Sequence, residues 1–528
     1  MEKKSENINV WLPFVLSVML AAGMVFGYQM NEKDESPLIS YIGSDSDTES
    51  PIGQVEELIR FVETRYVDSI NRTQLVSEAI EAILKKLDPH SIYITPEQLK
   101  RVNQEMDGTF NGIGIESFYI DDTVNIISTI PNSPAERAGI KPFDKIISIK
   151  DSLVAGNALN FSTIQDMIKG QLGDELPMNL LDQEGKEKQI VVTIGDIPLK
   201  SIDVALNVSP EIGYVKINRF SSTTYKEFMD HFEKMYESGT KHMIIDLRGN
   251  PGGFLPEATN ILSQLYSERG RLLVYTEGRN GNKLEYKTTG KPFFQIDKIS
   301  VLIDEGSASG SEIIAGAIQE WDRGAVIGRR SFGKGLVQEQ YNLGNGGAIR
   351  LTVARYYTPS GRSIQKTYSD IDRYDDDIYQ RISGGELYHQ DSVRSGDNTN
   401  FKTKILERDL VGGGGITPDV FVPIDSIELD YDFIQVDNKV SQFVYKALSN
   451  SSSKTLDLKD IEAKFFKELD VDFPISKVMK KHLRRSIRES NIRYTQGVEA
   501  MYSDRLANDS YIMLSKKYFE GIYSLEEL

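Results

Sequence analysis

From Ile202 to Ile327 the chain alternates short apolar runs with amphipathic stretches, and this alternation limits the possible folds more than any other feature. Tyr214 to Ile217, Met243 to Leu247, Leu272 to Tyr275, Val301 to Ile303 and Ala325 to Ile327 read as short strands. Helical periodicity at Tyr225 to Glu237, Pro256 to Tyr266 and Ser311 to Trp321 lies among them. Strand, helix, strand in succession predicts an α/β core with parallel strands, whose functional loops gather at strand ends.

With 528 residues the chain is too long for one ordinary domain. Its 39% hydrophobic and 26% charged residues exclude wholesale disorder and a multi-span membrane protein. A net charge of −17 argues against a general nucleic-acid binder, which needs surplus Lys and Arg on phosphates. The absence of cysteine removes disulfides, thiol nucleophiles and thiolate metal sites. The five histidines form no HExxH or other close pair, so no metal site is expected.

Val10 to Gly27 is an apolar run just long enough to cross a bilayer core. It lacks a clear small-residue cleavage site, and Lys3 and Lys4 precede it, which favours an uncleaved signal anchor over a cleaved signal peptide. The expected order is an anchor over 1–30, an acidic linker over 31–50, a helical module over 51–107 and a β-rich domain over 108–197. An α/β core over 198–428 and a helical region over 429–528 follow. In the last, Lys477, Lys481, Arg484 and Arg488 flank an Ile475, Met479, Leu483, Ile487 stripe, read as a solvated face over a packed one.

The segment Val301 to Gln340 holds three candidate chemistries. Gly328 to Lys334 matches a phosphate-binding loop except that Gly335 replaces the final Ser or Thr, and no helical pattern follows. Ser331-Phe-Gly-Lys334 is an S-x-x-K pair without its S-D-N and K-T-G companions. The third places Ser309 as nucleophile at the mouth of a helix after a buried strand, with the Gly310 amide directed at an oxyanion. A serine needs a base, and with no histidine nearby a desolvated Lys334 can serve. If a strand follows Gly333, Gln338 lies beside Lys334 and can orient its amine. Against this, Ser309-x-x-Glu312 also reads as a capping box opening an amphipathic helix.

Several motifs together resemble the carboxy-terminal processing proteases. They are Ser307-Ala-Ser309-Gly-Ser-Glu-Ile313, Phe332-Gly-Lys334-Gly, Gln338, Asp246-Leu-Arg-Gly-Asn-Pro-Gly-Gly253, Arg355-Tyr-Tyr-Thr-Pro-Ser-Gly361 and Gly415-Ile-Thr-Pro-Asp419. The resemblance implies Ser309 as nucleophile and Lys334 as base. A second oxyanion amide is implied in the Gly-rich loop, placed at Gly252 with Gly253 as its near rival. It also implies a crotonase- or Clp-protease-like core with an inserted PDZ domain. Leu87-Asp-Pro-His-Ser-Ile-Tyr93 resembles the family's helical dimerisation module. Gly112-Ile113-Gly114-Ile115, Ser133 to Gly139 and Asp144 to Ile147 resemble its PDZ domain, which binds a peptide tail as an added strand and holds the terminal carboxylate on a Gly-rich turn. Lys169 stands where many relatives carry an arginine coupling the PDZ domain to the core, and Lys does not reproduce Arg's fork.

The expectation is a serine endopeptidase of the bacterial envelope. Held in the inner membrane by one helix and facing the periplasm, it would self-associate and cut protein tails without a cofactor. A catalytically silent tail-binding scaffold is the alternative.

Overall fold

The computed structural model describes residues 51–157, 159–392, 401–451 and 456–528. The chain divides into two units, residues 1–80 and 81–528. The described part of the first holds the helix Pro51–Arg65 and the start of Arg72–Lys85. On the former, Val55, Leu58 and Phe61 are exposed. Among the described residues no helix is long and apolar enough to cross a membrane, and the Val10 to Gly27 run lies outside them.

The larger unit is built on a six-stranded sheet in the order Ile202–Ser209, Ile212–Ile217, His242–Asp246, Lys298–Ile303, Gly324–Gly328, Val420–Phe421. The first pair is antiparallel and the rest are parallel. Alternate side chains of a strand point to opposite faces. Met243, Ile245, Val301 and Ile303 therefore pack under the helices Thr224–Glu237, Leu255–Gln264 and Gly310–Glu320. Ile244, Leu302 and Ile327 face the other way, against Tyr511, Ile512 and Phe519 of the helix Ser510–Phe519. Cover on both faces is why these strands read as unbroken apolar runs.

Leu272 to Tyr275, expected among the parallel strands, belongs elsewhere. It lies within Arg269–Gly278, which pairs antiparallel with Lys283–Thr289 and with Ala348–Tyr357. Ala348–Tyr357 also takes Ile92–Ile94 and Leu336–Asn342, completing a second, five-stranded sheet. A short apolar run carries no mark of which sheet it joins.

Residues 115–193 form a separate antiparallel layer in the order Ile115–Ile120, Thr123–Thr129, Lys145–Ile149, Glu175–Leu181, Glu187–Thr193. With the helix Phe161–Ile168 it encloses its own core around Val124, Ile146, Ile164 and Leu180. Thr109–Gly112 pairs with Gly195–Pro198, so the chain enters and leaves this module on adjacent strands. After Asp430 come the helices Tyr431–Ser449, Leu458–Glu468, Lys477–Gln496, Val498–Leu506 and Ser510–Phe519. The expected stripe holds here, with Met479, Leu483 and Ile487 buried.

The far end of the helix Gly310–Glu320 is fixed by an ion pair. Arg362 Nε lies 2.9 Å from Glu320 Oε1, both side chains fully buried, and the guanidinium also reaches the Val411 carbonyl (2.8 Å) and Gln319 Oε1 (3.1 Å). Removing one member of such a pair leaves a buried charge uncompensated. Arg362→Leu should therefore cost about 3–5 kcal/mol of stability, read as a lowered urea midpoint.

Candidate active site

The strand Lys298–Ile303 runs into a loop whose shape is set by Asp304, which accepts the amides of Gly249 (2.8 Å) and Gly306 (3.0 Å). Ser307 Oγ donates to the Leu247 carbonyl at 2.8 Å, so the loops that follow two adjacent parallel strands are joined. The helix Gly310–Glu320 opens directly after Ser309. Ser309 itself is half-buried, at φ 52° and ψ −112°. The capping box that its spacing to Glu312 suggests is present, Glu312 Oε2 accepting the Ser309 amide at 2.8 Å, but an N-cap residue ordinarily has extended backbone and Ser309 does not. A non-glycine residue held at positive φ costs about 1–3 kcal/mol, and such strain collects at functional sites.

The Gly-rich loop after His242–Asp246 lies against this residue. Asp246 is buried at the strand end beside Tyr214 Oη (2.7 Å), Lys216 Nζ (3.4 Å) and Arg248 Nη2 (2.6 Å). Burial alone would raise its carboxyl, but the two cations outweigh burial and hold it well below the usual carboxylate range. Asn250 then ties three segments together. Its Nδ2 donates to the Ile217 carbonyl (2.9 Å), and its own carbonyl accepts the Ala308 amide (2.9 Å) and Ser311 Oγ (2.9 Å). Gly252 has φ 98°, and a β-carbon there would stand 2.6 Å from Ser309 Cβ and 2.9 Å from the Gly310 nitrogen. Only glycine lets the loop approach Ser309 this closely. The Gly252 amide, however, is engaged by Asn250 Oδ1 at 2.8 Å. Those of Gly310 and Gly253 have no partner among the described residues.

Lys334 arrives from the other side, on the segment that crosses to the second sheet. The Phe332 amide donates to the Ser307 carbonyl at 3.0 Å. Lys334 Nζ lies 3.1 Å from Gln338 Oε1, and Gln338 Nε2 donates to the His90 carbonyl at 2.7 Å. A bulge between Val337 and Gln338 interrupts the register there. Burial pushes the Lys334 ammonium below the ordinary lysine value, and the Arg350 charge adds to the effect.

Two buried side chains hold Ser309 and Lys334 in common. Glu312 Oε2 accepts the Ser309 amide (2.8 Å) and the Lys334 amide (2.9 Å), while Oε1 accepts Ser331 Oγ (2.6 Å) and the Gly333 amide (2.7 Å). Burial pushes its carboxyl up to about 7 against the pull of these donors. The Tyr356 hydroxyl reaches the carbonyls of Ser309 (3.1 Å) and of Lys334.

Of the expected groups, the structure brings together Ser309, Gly310, Gly252, Lys334 and Gln338. Ser331 is fully buried and spends its hydroxyl on Glu312 and the Ile416 amide (2.6 Å), which leaves the S-x-x-K reading no exposed nucleophile. Leu336–Asn342 is a strand, so the phosphate-loop reading lacks the helix it needs. Gly112 to Ile115 lies at the head of the strand Ile115–Ile120, in the separate module. Lys169 is exposed and pairs with Asp166 at 2.9 Å, and is not among the groups gathered around Ser309. Among the described residues no cluster of His, Asp and Glu could hold a metal ion.

Sequence reasoning missed the wider role of Glu312, whose S-x-x-E spacing signals only a cap. It also missed Tyr356 and Asn250, both inside quoted motifs, and the place of His90. Asp88 Oδ1 accepts the amides of His90 (2.8 Å) and Ser91 (2.8 Å) as well as Thr352 Oγ1 (3.1 Å), which fastens this turn to Ala348–Tyr357. Burial, with the Lys334 charge, lowers His90 to about 4, and its Nε2 lies 2.6 Å from Tyr374 Oη.

Residues 211–374 match the profile of Peptidase family S41. The carboxy-terminal processing protease CtpB of Bacillus subtilis (strain 168) is 32% identical over 367 residues, covering 67% of this chain and 75% of that protein. A carboxy-terminal-processing protease of Bartonella bacilliformis is 33% identical over 363 residues, covering 67% and 79%. Among solved structures, a photosystem II D1 C-terminal processing protease superposes with a TM-score of 0.36 at 22% identity, over 72% of this chain and 90% of that one. With these loops converging at the ends of a parallel α/β sheet, the chain is a serine peptidase rather than a silent scaffold. It belongs to the carboxy-terminal processing proteases of peptidase family S41.

The shared tether makes Glu312 testable. Glu312→Gln sets an amide NH2 against groups that all donate, so one of the two segments must shift. Displacement by about 1 Å can cost 100-fold in rate, and kcat on an unfolded protein substrate should fall by roughly that factor.

Proposed function

We propose that this chain is a tail-specific serine endopeptidase in which Ser309 is the nucleophile and Lys334 the general base. The observation that carries the reading is the double tether: Glu312 accepts the amides of both residues, and the Tyr356 hydroxyl reaches both carbonyls. Lys334 Nζ takes the hydroxyl proton as Ser309 Oγ attacks the scissile carbonyl carbon. The oxyanion is stabilised by the Gly310 amide at the helix start and by the Gly-rich loop. Because Asn250 engages the Gly252 amide, the second donor moves to Gly253, and Gly252 serves by its lack of a side chain. Collapse breaks the C–N bond, and Lys334 returns its proton to the leaving amine. Water then attacks the acyl ester, Lys334 taking its proton, and the released Ser309 oxygen regains one. Gln338 orients the lysine amine throughout. No cofactor enters these steps.

The module at 108–197 acts in this proposal as a PDZ domain. Ile115–Ile120 is the terminal strand of its sheet, with Gly112, Ile113, Gly114 and Ile115 at its head. A protein tail adds there as a further strand with its carboxylate on the Gly-rich turn. Gly114 stands at φ 79°, where a β-carbon would meet Ser133 Cβ at 2.4 Å, so the turn has no room for a side chain. Lys169 is given no part. The Val10 to Gly27 run anchors the enzyme in the cell envelope with its catalytic part outside the cytoplasm. The exposed Val55, Leu58 and Phe61 favour self-association.

Ser309→Ala and Lys334→Ala should each abolish proteolysis of an unfolded substrate while the circular dichroism spectrum is retained. Lys334→Arg should fail as well, because a guanidinium keeps its proton. A base must be neutral to act and Lys334 is depressed by burial, so kcat/KM should rise with pH through one ionisation below the usual lysine value of about 10.4. An active Lys334→Arg variant would falsify the dyad. For the anchor, full-length protein should remain with membranes after a carbonate wash, and recovery of a mature form beginning near Tyr28 would identify a cleaved signal instead.

A further inference from the structure

The helices after Asp430, which lie outside the residues 211–374 matched by the family profile, grip the 115–193 module at its outer strand. One side of Ile115–Ile120 presents Phe118, which meets the rings of Tyr445 (5.6 Å) and Tyr494 (6.4 Å) edge-on. Phe143 stacks on Tyr445 at 5.0 Å, and Tyr445 Oη donates to the Ile126 carbonyl at 2.7 Å. Arg493 pairs with Glu116, and Lys446 with Asp121 at 2.7 Å. The same helical region is fastened to the catalytic core, where Asp509 pairs with Arg248 at 3.0 Å and Lys298 Nζ donates to the carbonyls of Tyr518 (3.1 Å) and Phe519 (3.0 Å). Between the two attachments Gly497 stands at φ 98°, breaking one helix into two.

One contact falls on the edge itself. Ile120 pairs with Thr123 across a two-residue turn, with Asp121 at φ 48° and Asp122 at φ 54°. The pair closing such a turn exchanges both hydrogen bonds, and the pairs then alternate. Tyr119, opposite Val124, therefore turns its N–H and C=O outward, to the side where no strand follows. Gln442 Nε2 approaches that carbonyl at 3.4 Å. A tail lying antiparallel with its carboxylate at Gly114 brings a residue roughly four positions in from its terminus opposite Tyr119. Tail and helix thus compete for one carbonyl. The two clamping helices also bury Asp437 Oδ1 and Asn491 Oδ1 without a partner among the described residues.

We propose that the C-terminal helices are a clamp on the tail-recognition module, and that a bound tail long enough to reach Tyr119 displaces Gln442 and loosens it. The inference rests on the tail-binding role proposed for this module. The clamp then holds the module in one place relative to the core until a tail of sufficient length arrives, so the enzyme reads tail length as well as the terminal carboxylate.

The test uses the full chain carrying Ser309→Ala, so that peptide survives, with two fluorescent peptides of one sequence ending in a free carboxylate, one of eight residues and one of three. Native cysteine is absent, so Asp121→Cys with Lys446→Cys, at two exposed positions, can be joined by a short bismaleimide. Joining should weaken the eight-residue peptide about tenfold, by removing the open state from the equilibrium, and leave the three-residue peptide unchanged. Gln442→Ala with Arg493→Ala should tighten the long peptide several-fold and again spare the short one. If the joined protein binds both peptides as before, or the released one gains nothing, the clamp is overturned while tail binding stands. A parent chain that binds neither peptide overturns the tail-binding role itself, and the clamp with it.

Discussion

A carboxylate sealed from water among four hydrogen-bond donors holds the candidate active site together. Glu312 belongs to the helix that follows Ser309, but three of its four donors come from the segment carrying Lys334. A buried acceptor left without its donors is far more costly than one in water, so the two segments cannot separate without exposing that cost. Tyr356 repeats the tie from the carbonyl side, on a strand of the second sheet. Ser309 follows a strand of the parallel sheet, Lys334 and Gln338 lie on the segment that enters and forms Leu336–Asn342 of the antiparallel sheet, and the buried glutamate binds the backbone of both Ser309 and Lys334.

The strain at Ser309 follows from the same arrangement. A residue at φ 52° persists only where its surroundings over-determine it. Here the amide is claimed by Glu312, the carbonyl by Tyr356, and the space beside Cβ is filled by the Gly252 backbone. Asn250 sets the loop that brings Gly252 there, working from the neighbouring strand. The hydroxyl is thereby held at a strand end by groups that do not include it.

Much of this was legible in the residues. The parallel core followed from apolar runs separated by amphipathic ones, because both faces of that sheet are covered and the runs are unbroken. Ser309 and Lys334 stood out through spacing and burial arguments, and their motifs carried the family. What stayed hidden depended on distant pairing. Leu272 to Tyr275 looks like its neighbours until its partners in the other sheet are known. The Leu87 to Tyr93 segment looked like part of a helical module, yet its Asp88 turn packs on Ala348–Tyr357 and its His90 carbonyl holds Gln338. The commitment of the Gly252 amide to Asn250, two residues away, is a matter of loop geometry that composition does not record.

The cover on the second face of the parallel sheet bears on when the enzyme can first work. Ile244, Leu302 and Ile327 are sheltered by Tyr511, Ile512 and Phe519, which leave the ribosome long after the catalytic segments. Until they dock, one face of the sheet that positions Ser309 is wet, and a parallel sheet so exposed is a poor platform for a strained loop. The sheet that carries Ser309 is thus covered on both faces only once Ser510–Phe519 has been made and has docked.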